Sequence, residues 1–446
     1  MVMTKGSVAA CVLLGVGYVA CGASDAGTDG VAGSSSTAGA STAGATSGGA
    51  SSAGAGAQGA AAGLAGGSIA GGSGTADWGG AGGVSAGAGG SSGASAGAGG
   101  TPVASPLPAK TEILATLRKA NDAWMAAHAN PGDNLWARAV YFIGDSEFAK
   151  VSGRDAETTY AAKWALSHAY GLNGGNATVS ADNQCSGQTY LALTATGADP
   201  AKTGNIQASL SAMIKNKTVN SWWWIDALFM AMPSFVGLGV RNDDPAYFDE
   251  MWTLYNYTKR TEGGGLWSEA DGLWWRDKSY KPPHLEPNGK GTFWARGNGW
   301  VFAAHARVLE SLPAADPHRA EYISTFQAMA VKLKALQRSD GFWNVSLLDP
   351  THFGGPETSG TSLYTYGFAL GVAHGWLDRA SYEPSIDKAY RALVSTALKA
   401  DGSLGYIQGV GSAPESSQPV GANSNADFGV GAFLLGGSAV YALSPN

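Results

Sequence analysis

Apolar side chains recur at helical spacing through most of the chain beyond residue 109. Ile113, Leu117, Ala120 and Trp124 lie four, three and four residues apart, which puts them on one face of a helix over 110–128. Asn130-Pro131-Gly132-Asp133 then breaks the chain. Tyr322, Phe326, Met329, Leu333 and Leu336 repeat the pattern. The same reading predicts helices near 135–151, 156–170, 183–196, 204–216, 222–238, 246–261, 295–311, 358–376, 384–398 and 425–442. That makes about a dozen helices, joined by loops rich in Gly, Pro and Asn, notably 263–293 and 340–357. Alternating strand patterns are scarce.

About a dozen amphipathic helices can close as a ring of six helical hairpins, with an inner ring around a pocket. An open solenoid is the rival arrangement, but no fixed-period internal repeat is present. The Trp-, Asn- and Gly-rich loops favour an all-α toroid with a functional rim.

Composition divides the chain. Between Lys5 and Lys110 there is no basic residue, and the only acids are Asp25, Asp29 and Asp77. Residues 22–108 are almost entirely Gly, Ala, Ser and Thr, too poor in large apolar side chains to offset backbone ordering. A coil of that composition spans roughly 50 Å and can serve as a tether. Trp78 is its one large aromatic and reads as incidental. Residues 1–21 carry Lys5 and then an apolar run from Val8 to Ala20, the pattern of an export signal. Val19-Ala20-Cys21-Gly22 resembles the end of a bacterial lipoprotein signal, which makes Cys21 the candidate lipid attachment site. Tyr18 departs from that pattern, and ordinary cleavage nearby is the alternative. The organisation read from sequence is therefore a signal at 1–21, a disordered tether at 22–108 and a helical domain at 109–446. It implies an exported protein, either held at the cell surface or secreted.

Charge and cysteine usage exclude further classes. The 28 Lys+Arg against 34 Asp+Glu give a net charge of −6, with no basic stripe for nucleic acid. The 3 Cys are too few and too scattered for a disulfide scaffold. Cys185 reads as an unpaired structural thiol. None of the 7 His sits in metal-ligand spacing, and there is no phosphate-binding Gly loop or nucleophile elbow.

Four clusters carry chemistry. Asp226 lies inside Trp222-Trp223-Trp224-Ile225-Asp226-Ala227-Leu228-Phe229-Met230, the densest apolar segment, with no cation nearby in sequence. A buried Asp must be paired or have its pKa raised, and a raised pKa suits a general acid. A structural Asp is the plain alternative, but flat aromatic faces beside it suit sugar rings. Asp182 opens a helix among Asn183, Gln184, Ser186 and Gln188. It can be an N-cap, a second catalytic carboxylate, or both. Arg296 and Trp300 share a helical face in Phe293-Trp294-Ala295-Arg296-Gly297-Asn298-Gly299-Trp300, and Arg296 can clamp a carboxylate through two N–H groups. Pro356-Glu357-Thr358-Ser359-Gly360-Thr361 is a row of hydroxyls that alone reads as a capping motif. Two carboxylates, an Arg and several Trp together suit an acidic sugar.

The segments WWWIDALFM, RGNGW, GFWNVSLLDP, PETSGTSLYTYGFALG and DGSLGYIQGVG, then DFGVGAFLLGGSAVY, resemble in this order the unsaturated rhamnogalacturonyl hydrolases. These belong to glycoside hydrolase families 105 and 88. The resemblance runs from about Trp136 to Tyr441. It implies an (α/α)6 barrel and removal of the terminal Δ4,5-unsaturated uronic acid from lyase-generated oligosaccharides of pectin or rhamnogalacturonan. The implied chemistry is hydration of an enol ether, with a proton to C4 and water to C5. Asp226 matches the family's general acid/base, and Asp182 its second essential carboxylate. Trp224, Arg296 and Trp300 match positions lining the subsite for the unsaturated sugar, and Ser359 falls near a hydroxyl-bearing helix start. Arg276, in Trp274-Trp275-Arg276, stands where the family commonly has a substrate-touching His. It can read a different substituent or pair with Asp277. No metal or organic cofactor is implied. An inverting glycosidase on saturated glycans and a non-catalytic glycan-binding protein are the rival functions.

Overall fold

The computed structural model describes residues 107–194 and 199–446. Cys21, the signal segment, Trp78 and residues 22–106 of the tether lie outside the described residues. Leu107, two residues before the boundary read from composition, is already packed into the core.

Thirteen α-helices follow among the described residues. They are α1 (Lys110–Ala127), α2 (Trp136–Ser152), α3 (Ala156–Ser167), α4 (Ala181–Gln184), α5 (Ser186–Ala192), α6 (Pro200–Asn216) and α7 (Asp226–Asn242). Then come α8 (Ala246–Asn256), α9 (Ala295–Ser311), α10 (Arg319–Leu336), α11 (Thr358–Ala373), α12 (Arg379–Ala392) and α13 (Asp427–Leu443). The only sheet among the described residues is a hairpin, β1 (Trp267–Ser268) against β2 (Leu273–Trp274), antiparallel, with Trp267 opposite Trp274.

Alternate helices close a ring. α2 packs on α5, α4 and α5 on α7, α7 on α9, α9 on α11, α11 on α13, and α13 returns to α2. The intervening helices α1, α3, α6, α8, α10 and α12 pack outside them. This is the (α/α)6 toroid, and it rules out the open solenoid, whose last helix would not meet its first. Inner helices are buried nearly all round: α13 buries Phe428 through Val440 without interruption. Outer helices bury one stripe, as α1 does with Ile113, Leu117, Ala120 and Trp124. The ring closes tightly where α2 meets α13, since a Cβ on Gly144 would sit 2.1 Å from the Gly431 carbonyl oxygen.

The structure departs from the periodicity in three places. The helix expected over 183–196 is two short pieces, tightened at Cys185, whose N–H donates to the Asp182 carbonyl. It starts at Ala181, so Asp182 lies inside the first turn and is not its N-cap, and Ser180 in the cap position makes no side-chain cap bond. The helix expected from 222 begins at Asp226, because the Trp222 carbonyl accepts from Thr258 Oγ1 and the Ile225 N–H donates to the Arg276 carbonyl. The helix expected from 384 starts at Arg379, where the Asp378 carboxylate accepts from Ser381 N–H. Cys185 is free and buried.

Candidate active site

The N-terminal ends of α2, α4, α7 and α9 converge on a cavity of about 170 Å³. That is below the ~300–1,000 Å³ of pockets for drug-sized ligands and matches something nearer one sugar ring. Asp182, Asp226, Trp224, Arg276, Arg296 and Trp300 all line it. The remaining wall comes from Trp136, Met230, Trp294, Val410 and Gly411.

Asp226 reaches the cavity at the end of a non-helical run of three tryptophans. Trp222 points in and is fully buried, Trp223 points out at 47% exposure, and Trp224 is buried again against the cavity. Asp226 then opens α7 with its side chain 10% exposed. Its Oδ2 accepts from Arg276 Nε at 3.0 Å, and its buried Oδ1 has no partner. Burial pushes its pKa up, and Arg276 and Arg296 partly oppose that. The cation missing near Asp226 in sequence is thus supplied from 50 residues away.

Asp182 takes no hydrogen bond to its side chain among the described residues. Burial first, then the charge of Asp226, push its pKa up to about 6, against the pull of Arg276. Two carboxylates whose proton affinity is raised by burial, one of them also by its neighbour's charge, are an arrangement that general acid–base chemistry uses near neutral pH.

Arg276 stands between Asp226 and Asp277, and its Nη1 donates to Asp277 Oδ2 at 2.8 Å. Asp277 is itself fixed by the Ser279 N–H at 2.8 Å and the Ser279 hydroxyl. Burial raises the Asp277 pKa, but Ser279 and Arg276 outweigh it and hold the group below the usual carboxylate value. Asn298, fully buried, anchors this hairpin: it accepts from Trp274 N–H at 2.8 Å and donates to the carbonyls of Trp274 and Trp294. One amide side chain therefore ties the end of β2, two residues before Arg276, to the start of α9.

Arg296 differs from the open clamp expected. It is 1% exposed, and its Nη1 and Nη2 donate to the Gln408 and Gly409 carbonyls at 2.6 and 2.9 Å. Its guanidinium lies between Trp294 and Phe428, 4.4 and 4.7 Å from the ring centroids. Burial lowers its pKa to about 10, so it stays charged at neutral pH. Its fork holds the 408–411 loop against the cavity, and only Nε lacks a partner. Trp294 Nε1 supports the same loop by donating to Gln408 Oε1 at 2.8 Å. Trp300 packs edge-on to Trp136 and against Phe229.

Ser359 is not brought to the cavity. It is fully buried, and its hydroxyl donates to Glu357 Oε1 at 2.6 Å. Glu357 caps α11 through the Ser359 and Gly360 N–H groups and also accepts from Gln408 N–H at 3.3 Å. The row of hydroxyls is a capping motif that braces the loop. Gln408, Val410 and Gly411 were visible only inside the segment DGSLGYIQGVG, with nothing local to mark them. Trp136 and Trp294 had a signal, since Trp136 opens α2 and Trp294 directly precedes α9, as Trp224 shortly precedes α7. No described group of three or more His, Cys, Asp or Glu side chains gathers as a metal site would.

Comparison with known proteins shows the family of this chain. The profile of Glycosyl Hydrolase Family 88 matches residues 111–443. A protein of Formosa agariphila named unsaturated 3S-rhamnoglycuronyl hydrolase is 40% identical over 227 residues, 50% of this chain and 58% of that protein. The matches span only about half the length of the curated relatives. A solved glycosyl hydrolase family 88 structure from Bacteroides vulgatus is 35% identical with a TM-score of 0.71, covering 75% of this chain and 99% of that one. A solved chain titled a polysaccharide lyase is 34% identical with a TM-score of 0.71, covering 75% of this chain and 98% of that one.

Proposed function

Because the chain belongs to glycosyl hydrolase family 88, we propose that it releases the terminal Δ4,5-unsaturated uronic acid from lyase-generated oligosaccharides by hydrating the C4=C5 bond. The observation that carries this reading is the Asp182–Asp226 pair in one Trp-walled cavity, with burial raising both pKa values. In the proposed reaction Asp226 gives its proton to C4. Water adds its oxygen at C5 and returns a proton to Asp226. The resulting hemiketal opens, and the sugar on the far side of the linkage leaves. Asp182, whose pKa burial and the charge of Asp226 push up to about 6, orients the water or the ring.

The substrate follows from the same chemistry. Elimination erases the configuration at C4 and C5, so units derived from glucuronate and galacturonate become the same unsaturated ring. This cavity then has no C4 or C5 feature by which to separate them, and selection falls to the next sugar. The sequence resemblance points to rhamnogalacturonan, and the Formosa relative is named for a rhamnoglycuronyl linkage. Both share an unsaturated uronate on rhamnose, and we assign that linkage as the substrate, with pectin fragments as one source. The reading also places the enzyme outside the cytoplasm, held by lipid on Cys21. Release of a Cys21→Ala variant from the membrane fraction supports the anchor, and an unchanged distribution removes it.

The lyase name of one structural relative gives a second reading, β-elimination at a uronate. The double bond separates the two, because a hydrolase consumes its ultraviolet absorbance and a lyase creates it. Asp226→Asn should lower turnover by ~10²–10⁴. Full turnover of that variant removes Asp226 from its role. Turnover of a saturated analogue favours the ordinary glycosidase, and tight binding without product favours the glycan-binding protein.

A further inference from the structure

Trp223 is the one exposed tryptophan among the described residues. Its neighbours explain the position but not the residue. Trp222 and Trp224 are buried, and Trp223 between them faces outward. At 47% exposure the indole keeps much of its flat apolar surface open to a ligand. Its surroundings say which kind. Trp224, a wall of the cavity, lies 4.7 Å from it between ring centroids and is tilted by 47°. The Arg276 guanidinium lies 5.5 Å from the Trp223 ring and lines the same cavity. Arg276 spends Nε on Asp226 and Nη1 on Asp277, and Nη2 takes no partner among the described residues. An exposed flat ring beside an unspent donor, at the lip of a cavity sized for about one ring, suits a pyranose.

We propose that Trp223 is the stacking platform for the second sugar, the ring released by the reaction, and that Arg276 Nη2 donates to an oxygen of that ring. The platform takes a pyranose with an apolar C–H face, such as a 6-deoxyhexose. This rests on the reading of the cavity as the unsaturated-uronate subsite. It adds where selection occurs: a cavity that sees only the unsaturated ring cannot choose its partner, and Trp223 can.

The test compares wild type, Trp223→Ala and Trp223→Phe on two substrates, an unsaturated uronyl-rhamnose disaccharide and the methyl glycoside of the same unsaturated uronic acid. The readout is the ratio of kcat/KM for the disaccharide to that for the methyl glycoside. Trp223→Ala should lower the ratio by about five- to tenfold, and Trp223→Phe should restore most of it. An equal loss on both substrates, or no loss on either, overturns the platform. Should wild type consume neither double bond, the hydration reading falls separately. Calorimetric titration of the same proteins with the disaccharide then decides Trp223: binding weakened about five- to tenfold in Trp223→Ala supports it, and unchanged or undetectable binding overturns it.

Discussion

Asp182→Asn removes one charge from the cavity and keeps the side chain's shape. In the folded protein burial and the charge of Asp226 push the Asp182 pKa up to about 6. In the unfolded chain an Asp titrates near ~3.9. The folded state therefore holds more protons than the unfolded state between those values. Stability contributed by this group is full below the unfolded value and falls as pH rises through about 6. The gap corresponds to roughly 3 kcal/mol. Asp182 keeps some contact with solvent, so the measured cost should be ~1–3 kcal/mol. Asn has no charge to bury and avoids that cost. Urea denaturation of both proteins should show the variant more stable by ~1–3 kcal/mol at neutral pH, with much of the advantage gone near pH ~4. Turnover should fall in the same variant, because the unfavourable carboxylate is kept for chemistry. A stability difference that is the same at both pH values would refute the reasoning.

Other changes probe other links. Arg276→Gln removes a cation that favours the charged form of Asp226, so the Asp226 pKa rises further. A proton donor then stays protonated to higher pH, and the alkaline limb of the kcat/KM profile should move to higher pH. An unmoved limb separates Arg276 from Asp226 in the mechanism. Gly431→Ala puts a methyl group 2.2 Å from the Val140 carbonyl oxygen, where α2 meets α13. It should lower unfolding free energy by about 1–3 kcal/mol or more, read from the denaturation midpoint. Asn298→Asp keeps the acceptor for Trp274 N–H but sets oxygen against two carbonyls. Turnover should fall more than substrate affinity, and equal losses would make the bracket a purely structural one.

The helices were legible in the sequence because each outer helix must bury a stripe, as Ile113 to Trp124 do. The ring was legible only as one of two outcomes, since helical period does not say whether α13 meets α2. Asp226 and Asp182 were marked by dense apolar and polar surroundings, but their electrostatics were not. The partner of Asp226 is Arg276, 50 residues on, and the loop held by Arg296 is 112 residues away. Neither distance leaves a local signature. Ser359 shows the converse, because a capping row and a substrate-touching row of hydroxyls look alike until Glu357 is seen to take the bonds. Trp223 and Trp224 are adjacent and alike in sequence, and only the path of the folded chain before α7 places one in the cavity and one on its rim.

The central claim is that water adds across the C4=C5 bond, and the absorbance of that bond tests it directly. With an unsaturated uronyl-rhamnose disaccharide, wild type should consume the absorbance while releasing one reducing rhamnose per bond lost. Asp226→Asn should do neither, and the saturated counterpart should stay intact. Rhamnose released from the saturated substrate, or absorbance that rises during turnover, would contradict the account.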